Sequence, residues 1–151
     1  MNIELKPIGI IHSRYKDKKD APRQGRLSDN LAVIELFDEY VPGLKGVETL
    51  TNLFVMYWGD RSDRNVLQST TPFSTEQIGV FSSRSPNRPN PIALCIVDLV
   101  SVDGNKLTVR GLDALDGSLL LDIKAYSSSL DCIPSARIGW QDSKGGNHGY
   151  A

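Results

Sequence analysis

The residues best equipped for chemistry cluster in "SRSPNRPNP" (83–91), where three prolines and two arginines occupy nine positions. Each proline fixes its own φ near −65°, removes a backbone donor and pushes its predecessor toward an extended conformation. The segment therefore suits neither a helix nor a central strand. Arg84 and Arg88 project from a backbone that has little freedom left to lose, which lowers the ordering cost of binding. Their forks match carboxylates, phosphates and the faces of aromatic bases. Two readings stay open: a pre-organised arginine platform, or a proline-rich crossover whose arginines are merely solvated.

Two further stretches carry candidate groups. "DAPRQGR" (20–26) again sets a proline beside arginines, inside a polar loop (14–30) with six Lys/Arg against three acids. Lys16, Lys18 and Lys19 there read most simply as a solvated basic face, and so, taken alone, do Pro22, Arg23 and Gln24. "LDALDGSLLLDIKAY" (112–126) carries Asp113, Asp116 and Asp122. Asp116 reads as a turn residue and Asp113 as a loop carboxylate. Asp122, within an otherwise apolar strand, belongs either to an outward face or to the lining of a pocket.

Other chemistries lack material. No GxGxxG follows a strand and no GxxxxGK[ST] occurs, so the usual dinucleotide and nucleotide cradles are missing. Two histidines, His12 and His148, are too few for a histidine metal site or a Ser/His/Asp triad, and no metal site is expected. Cys95 and Cys132 show no CxxC spacing, which argues against a disulfide framework; Cys95 reads as a small buried residue.

The elements that must position these groups are mostly strands. "IELKPIGIIHS" reads as a strand with an irregular start, and "LAVIELFDEY" as another. A turn or short helix is expected around 44–49, then a buried strand at 52–58. The polar run that starts at Asp60 should be an exposed loop, leading to a short strand at "IGVFSS". Asp-Gly pairs between apolar runs predict two hairpins, one at "DGN" (103–105) and one at "LDG" (115–117). The fold class is mostly β: a small antiparallel barrel or sandwich with short helices or turns.

At 151 residues, with 40% hydrophobic and 23% charged residues, the chain suits one soluble domain. The expected organisation is a domain over 1–140 and a flexible Gly-rich tail over 141–151. A net charge of −1 excludes a globally basic nucleic-acid binder, so any RNA contact must rest on a local patch. No signal-peptide pattern and no 18-residue apolar run are present, which points to a cytoplasmic protein with no membrane partner.

In order and spacing, "IGIIHSRYKDKKDAPRQG", "GLKGVETLTNLFVMYW", "GVFSSRSPNRPNPIALCIVDL" and "GLDALDGSLLLDIKAY" resemble the TsaA/TrmO (YaeB-like) family over about residues 5–137. The resemblance implies a single-domain antiparallel β-barrel, a homodimer, and an S-adenosyl-L-methionine-dependent methyltransferase active in tRNA processing. The implied reaction is N6-methylation of N6-threonylcarbamoyladenosine (t6A37) beside the tRNA anticodon. Carried over residue by residue, the cofactor contacts fall on Pro22, Arg23, Gln24, Arg84, Leu94, Asp116, Gly117, Ser118, Leu119 and Leu120. Where many members carry a histidine after the apolar strand, this chain has Gly59 and Asp60, which inherit that position. Many members also read "PNPIGLS" where this chain has "PNPIALC", and bacterial members carry a further C-terminal domain.

The implied chemistry fits the residue types. Arg84 or Arg23 suits the carboxylate of the methyl donor, and the backbone of the "DGSLL" turn suits its adenine. Methyl transfer is an in-line displacement, where positioning alone can supply roughly 7–11 kcal/mol. The exocyclic nitrogen is a weak nucleophile, so a carboxylate taking its proton would add about 10²–10⁴-fold. Asp122 is the first candidate for that base and Asp60 the second. Lys16, Lys18, Lys19, Arg26, Arg61, Arg64 and Arg88 form a candidate phosphate-binding set for RNA. Two alternatives accompany this reading: a same-fold methyltransferase acting on a small molecule or other acceptor, and a non-catalytic cofactor- or RNA-binding module.

Overall fold

In the computed structural model, residues 1–70 and 75–142 are described. Residues 143–151 of the expected 141–151 tail, with His148, and residues 71–74 of the expected 60–77 loop lie outside the described residues, whereas Gln141 and Asp142 belong to a short helix in which Gln141 is buried. The chain divides into two compact units: Met1–Trp58 with Ile92–Tyr126, and Gly59–Pro91 with the residues from Ser127 onward.

The first unit is a closed antiparallel barrel. Its strands are β1 (Gly9–His12), β2 (Leu31–Leu36), β3 (Asn52–Trp58), β6 (Ile92–Asp103), β7 (Lys106–Arg110) and β8 (Leu119–Ala125), in the order β1-β2-β7-β6-β3-β8 and back to β1. Period-2 patterning builds it: Ala32, Ile34 and Leu36 of β2 are buried, as are Leu53 and Val55 of β3, Cys95 and Val97 of β6, and Leu107 and Val109 of β7. Closure leaves no unpaired sheet edge in this unit. The mostly-β barrel expected from the sequence is thus the observed fold.

The "DGN" hairpin forms between β6 and β7, with Gly104 at φ +61° in its two-residue loop, as a type II′ turn requires of its first central residue. The second expected hairpin does not form. β7 pairs with β2 and β6, whereas β8 pairs with β3 and β1. The Asp-Gly signal marks a real turn, with Gly117 at φ +85° and the Ser118 N–H donating to Leu115 O at 3.1 Å. That turn sits in a crossover which the first strand captures: Gly117 N–H donates to Ile11 O and Ile11 N–H to Ser118 O.

Between β2 and β3 the chain makes 3₁₀ turns at Asp38–Leu44 and Val47–Thr49, joined by Gly46 at φ +90°. In the second unit, β4 (Gln68–Thr70) pairs with β5 (Gln77–Gly79), so the region expected to be all loop contributes one strand. The strand expected at "IGVFSS" ends at Gly79. Val80 N–H donates to Leu67 O, and the chain then tightens into a 3₁₀ turn at Val80–Ser82. Two short helices, α1 (Ser128–Asp131) and α2 (Gly139–Asp142), complete this unit. No described helix is long and apolar enough to cross a membrane.

Candidate functional site

Three adjacent strands of the barrel bring two predicted site residues into one row. Leu94 of β6 is paired with Met56 of β3, and Met56 is paired with Asp122 of β8. Directly paired residues share a face, and the neighbours Val55 and Cys95 point into the core, so this row lies on the outside of the barrel. Two strand spacings separate Leu94 from Asp122, about 10 Å. A bulge explains how a carboxylate comes to sit in an apolar strand. β8 slips by one residue between Leu120, opposite Tyr57, and Asp122, opposite Met56. The slip lets Leu120 and Ile123 both face the core while Asp122 faces out.

Asp122 is 47% exposed at the side chain. Its Oδ1 accepts from Ile123 N–H at 2.9 Å and its Oδ2 lies 3.3 Å from Lys124 Nζ. It also borders a cleft of about 400 Å³ roofed by the 38–50 segment, whose walls include Tyr40, Leu44, Val47 and Leu50. Both sequence readings of Asp122 thus apply: it is on the outward face and on a pocket lining. Leu94 is 44% exposed and Leu119 is 39% exposed, unusual positions for leucines in a small barrel.

The turn leading into β8 is held on every side. Asp116 N–H donates to Tyr15 O at 2.7 Å, and the Asp116 carboxylate accepts from Ser13 N–H at 3.0 Å and Lys16 Nζ at 2.6 Å. The hydrogen bond from Lys16 and that from the Ser13 backbone hold the Asp116 carboxyl below the usual carboxylate range. Ser118 Oγ donates to Leu115 O at 2.6 Å. The N–H groups of Asp116, Gly117 and Ser118 are all paired internally, so the main chain of this turn can meet a ligand only as an acceptor, through its carbonyl oxygens. The space beside Gly117 where a Cβ would sit holds no other atom within 4 Å.

The loop carrying Pro22, Arg23 and Gln24 is tied to the same region through Tyr15. Tyr15 OH and Ser28 Oγ are 2.8 Å apart, and Asn30 Nδ2 donates to Tyr15 OH at 2.9 Å. Two 3₁₀ turns, Lys18–Asp20 and Gly25–Leu27, bracket Pro22–Gln24, with Arg23 exposed. Of the candidate RNA contacts, Lys18 and Lys19 are exposed, Lys16 pairs with Asp116, and Arg26 donates to Asp98 at 2.9 Å. That bond from Arg26 holds the Asp98 carboxyl down in turn.

The proline–arginine motif lies in the second unit, where its arginines have unequal roles. Arg84 is exposed. Arg88 Nε donates to Ser85 O at 2.7 Å, and its Nη2 donates to Ser83 O at 2.6 Å and to Val80 O. Arg64 Nε donates to Pro89 O at 2.7 Å, and Trp140 Nε1 to Ser82 O at 2.9 Å. Arg61 and Asp60 are exposed on the turn after Gly59, whose N–H donates to Pro91 O at 2.8 Å.

Sequence reasoning missed one cluster. Tyr57 OH donates to Asp113 Oδ1 at 2.7 Å, and Cys95 Sγ donates to the same oxygen at 2.9 Å. Burial pushes the Tyr57 phenol well above its ordinary range, and the Asp113 charge adds to the push. The available signal was the period of β3: with Leu53 and Val55 inward, Tyr57 must face inward too and needs a polar partner.

Comparison with known proteins decides the family. The model of the tRNA-methyltransferase O N-terminal domain matches residues 10–132. This chain belongs to that family. An Archaeoglobus fulgidus relative named S-adenosyl-L-methionine-binding protein is 52% identical over 129 residues, covering 85% of this chain and 93% of the relative. A longer relative from the same organism is 48% identical, with 93% of this chain matched to 38% of its length. The crystal structure of TrmO from Pseudomonas aeruginosa superposes with a TM-score of 0.79 at 30% identity, covering 94% of this chain and 64% of that one. The chain thus spans nearly all of one archaeal relative but under two thirds of the longer relative and of the solved Pseudomonas aeruginosa chain.

Proposed function

We propose that this chain is an S-adenosyl-L-methionine-dependent methyltransferase whose acceptor is the N6 nitrogen of threonylcarbamoyladenosine beside the tRNA anticodon. The family supports the cofactor and reaction class. The observation that carries the site is the outer row of Leu94, Met56 and Asp122, bordered by the glycine turn that opens β8.

The residues present fit the cofactor. Exposed Leu94 and Leu119 offer apolar surface for an adenine, and the carbonyls of the 116–118 turn accept from its amino group. Pro22, Arg23 and Gln24, tied to the same turn through Tyr15, supply a guanidinium and an amide. Arg84, Gly59 and Asp60 are the further cofactor contacts proposed from the resemblance to the family, Gly59 and Asp60 standing where many members carry a histidine. The bound cofactor supplies an electrophilic methyl group on sulfur. Asp122 would accept the N6 proton as the N–C bond forms and the sulfur–methyl bond breaks to leave a neutral thioether, with Asp60 as the alternative base. Lys16, Lys18, Lys19, Arg26, Arg61 and Arg64 are the exposed cations proposed to meet tRNA phosphates. As a family member the protein would act as a homodimer in the cytoplasm.

The test is transfer of a labelled methyl group from the cofactor to tRNA lacking the N6-methyl mark. Label in the anticodon-loop nucleoside is the expected result, and label confined to small molecules overturns the acceptor. Asp122→Asn should then leave cofactor affinity nearly unchanged and cut turnover by about 10²–10⁴-fold; an unchanged rate removes Asp122 from the mechanism.

A further inference from the structure

The prolines of "SRSPNRPNP" create a shortage. Pro86, Pro89 and Pro91 contribute no backbone N–H, so the segment cannot satisfy its own carbonyls by pairing with itself. Side chains make up the deficit. The carbonyls of Val80, Ser82, Ser83, Ser85 and Pro89 all accept from Arg88, Trp140 or Arg64. Arg88 alone serves three of them: Val80, Ser83 and Ser85. Two of these, Ser83 and Ser85, flank Arg84.

We infer that Arg88 is a positioning residue: its guanidinium clamps the backbone on both sides of Arg84 and fixes where that exposed arginine points. This rests on the reading of Arg84 as a cofactor contact. One planar, permanently charged fork reaches three carbonyls at once, with donors in fixed directions. A lysine keeps the charge but concentrates its donors at one point, so it cannot span the same three oxygens. Arg88 is half-buried and gives three of its five N–H donors to the main chain, which leaves the two on Nη1 for any RNA phosphate. The two arginines therefore divide the work, one shaping the loop and the other meeting the ligand.

The experiment is a double-mutant cycle on the full chain, read by calorimetric affinity for S-adenosylmethionine. Arg84→Ala should weaken binding, and Arg88→Ala should weaken it by up to roughly tenfold, as a side chain that was pre-ordered must now be ordered on binding. The double variant should bind no worse than Arg84→Ala, because the clamp acts through Arg84. Arg88→Lys should behave like Arg88→Ala, and it replaces that variant in the cycle should alanine prevent folding. RNA binding by Arg88→Ala should keep the wild-type salt slope, whereas loss of a phosphate contact would reduce it by about one. Additive losses, rescue by lysine, or a reduced salt slope would each overturn the positioning role. An unchanged affinity in Arg84→Ala would instead sink the reading of Arg84 itself.

Discussion

Tyr57 and Asp113, 56 residues apart in the chain, are joined by a 2.7 Å hydrogen bond that ties the end of β3 to the crossover between β7 and β8. Cys95 on β6 donates to the same carboxylate oxygen, so three separate segments of the barrel converge on Asp113. Burial favours the protonated phenol, so it stays a donor at neutral pH.

Removing that donor should be costly. Tyr57→Phe keeps the ring but leaves a partly buried carboxylate short of a partner, a loss of about 1–3 kcal/mol. Thermal denaturation should register a fall of several degrees with native circular dichroism at 20 °C or so. An unaltered midpoint would mean the bond contributes nothing. Cys95→Ala should cost less, since a thiol is a weak donor.

Acid should loosen the barrel through Asp116 and Asp98. Both carboxyls lie below their ordinary value in the fold, Asp116 mainly through Lys16 and Asp98 mainly through Arg26. A depressed folded pKa contributes stability that is complete above the unfolded value of about 3.9 and is lost as pH falls through the lower folded value. Both pairs are substantially exposed, so each contributes less than about 1 kcal/mol after solvent screening. Denaturant midpoints measured from pH 6 down to 2 should decline below about pH 4, and Asp116→Asn should flatten that decline. An identical acid limb in the variant would rule out its contribution.

How far the sequence could be read depended on whether a signal was local. Apolar, β-branched and aromatic content marked strands in "LAVIELFDEY" and at 52–58, and the first of them stops at Leu36, before the 3₁₀ segment Asp38–Leu44. Gly104 placed the first hairpin, whose partners are adjacent in sequence. The turn at Gly117 gave the same local signal, but pairing β8 with β1 and β3 is a long-range choice that no dipeptide encodes. The bulge at Leu121 is likewise a consequence of closing the barrel, and it decides where Asp122 points. Arg84 and Arg88 look alike in the sequence; only the carbonyls around Arg88 distinguish them, and these are set by the course of the whole loop.

Close backbone approach makes Gly25 irreplaceable. A Cβ built there falls 1.9 Å from Gly111 O and 2.8 Å from Gly111 C, both main-chain atoms that no side-chain rotation can clear. Gly25→Ala must therefore move the 14–30 loop or the start of the crossover, at about 1–3 kcal/mol or more. Gly104→Ala meets open space and bears only the left-handed backbone penalty, roughly 1–2 kcal/mol. Gly25→Ala should also weaken cofactor binding, because the same loop holds Arg23, whereas Gly104→Ala should not. Equal cofactor affinity in the two variants would separate the loop from the binding site.

Leu94 and Asp122, on one outer row, should respond to substitution on different axes. Leu94 is 44% exposed, so truncation to alanine removes little from the core and should change stability by less than about 0.5 kcal/mol. If an adenine covers it, the remaining apolar area is worth about 1 kcal/mol at the usual area coefficient, or a roughly fivefold loss of cofactor affinity. Asp122→Asn should leave that affinity in place and reduce turnover instead. Leu94→Ala at saturating cofactor should recover a near wild-type rate, since only binding has been lost. A rate that stays low at saturation, or an affinity that does not change, would detach Leu94 from the adenine and leave it an exposed barrel residue.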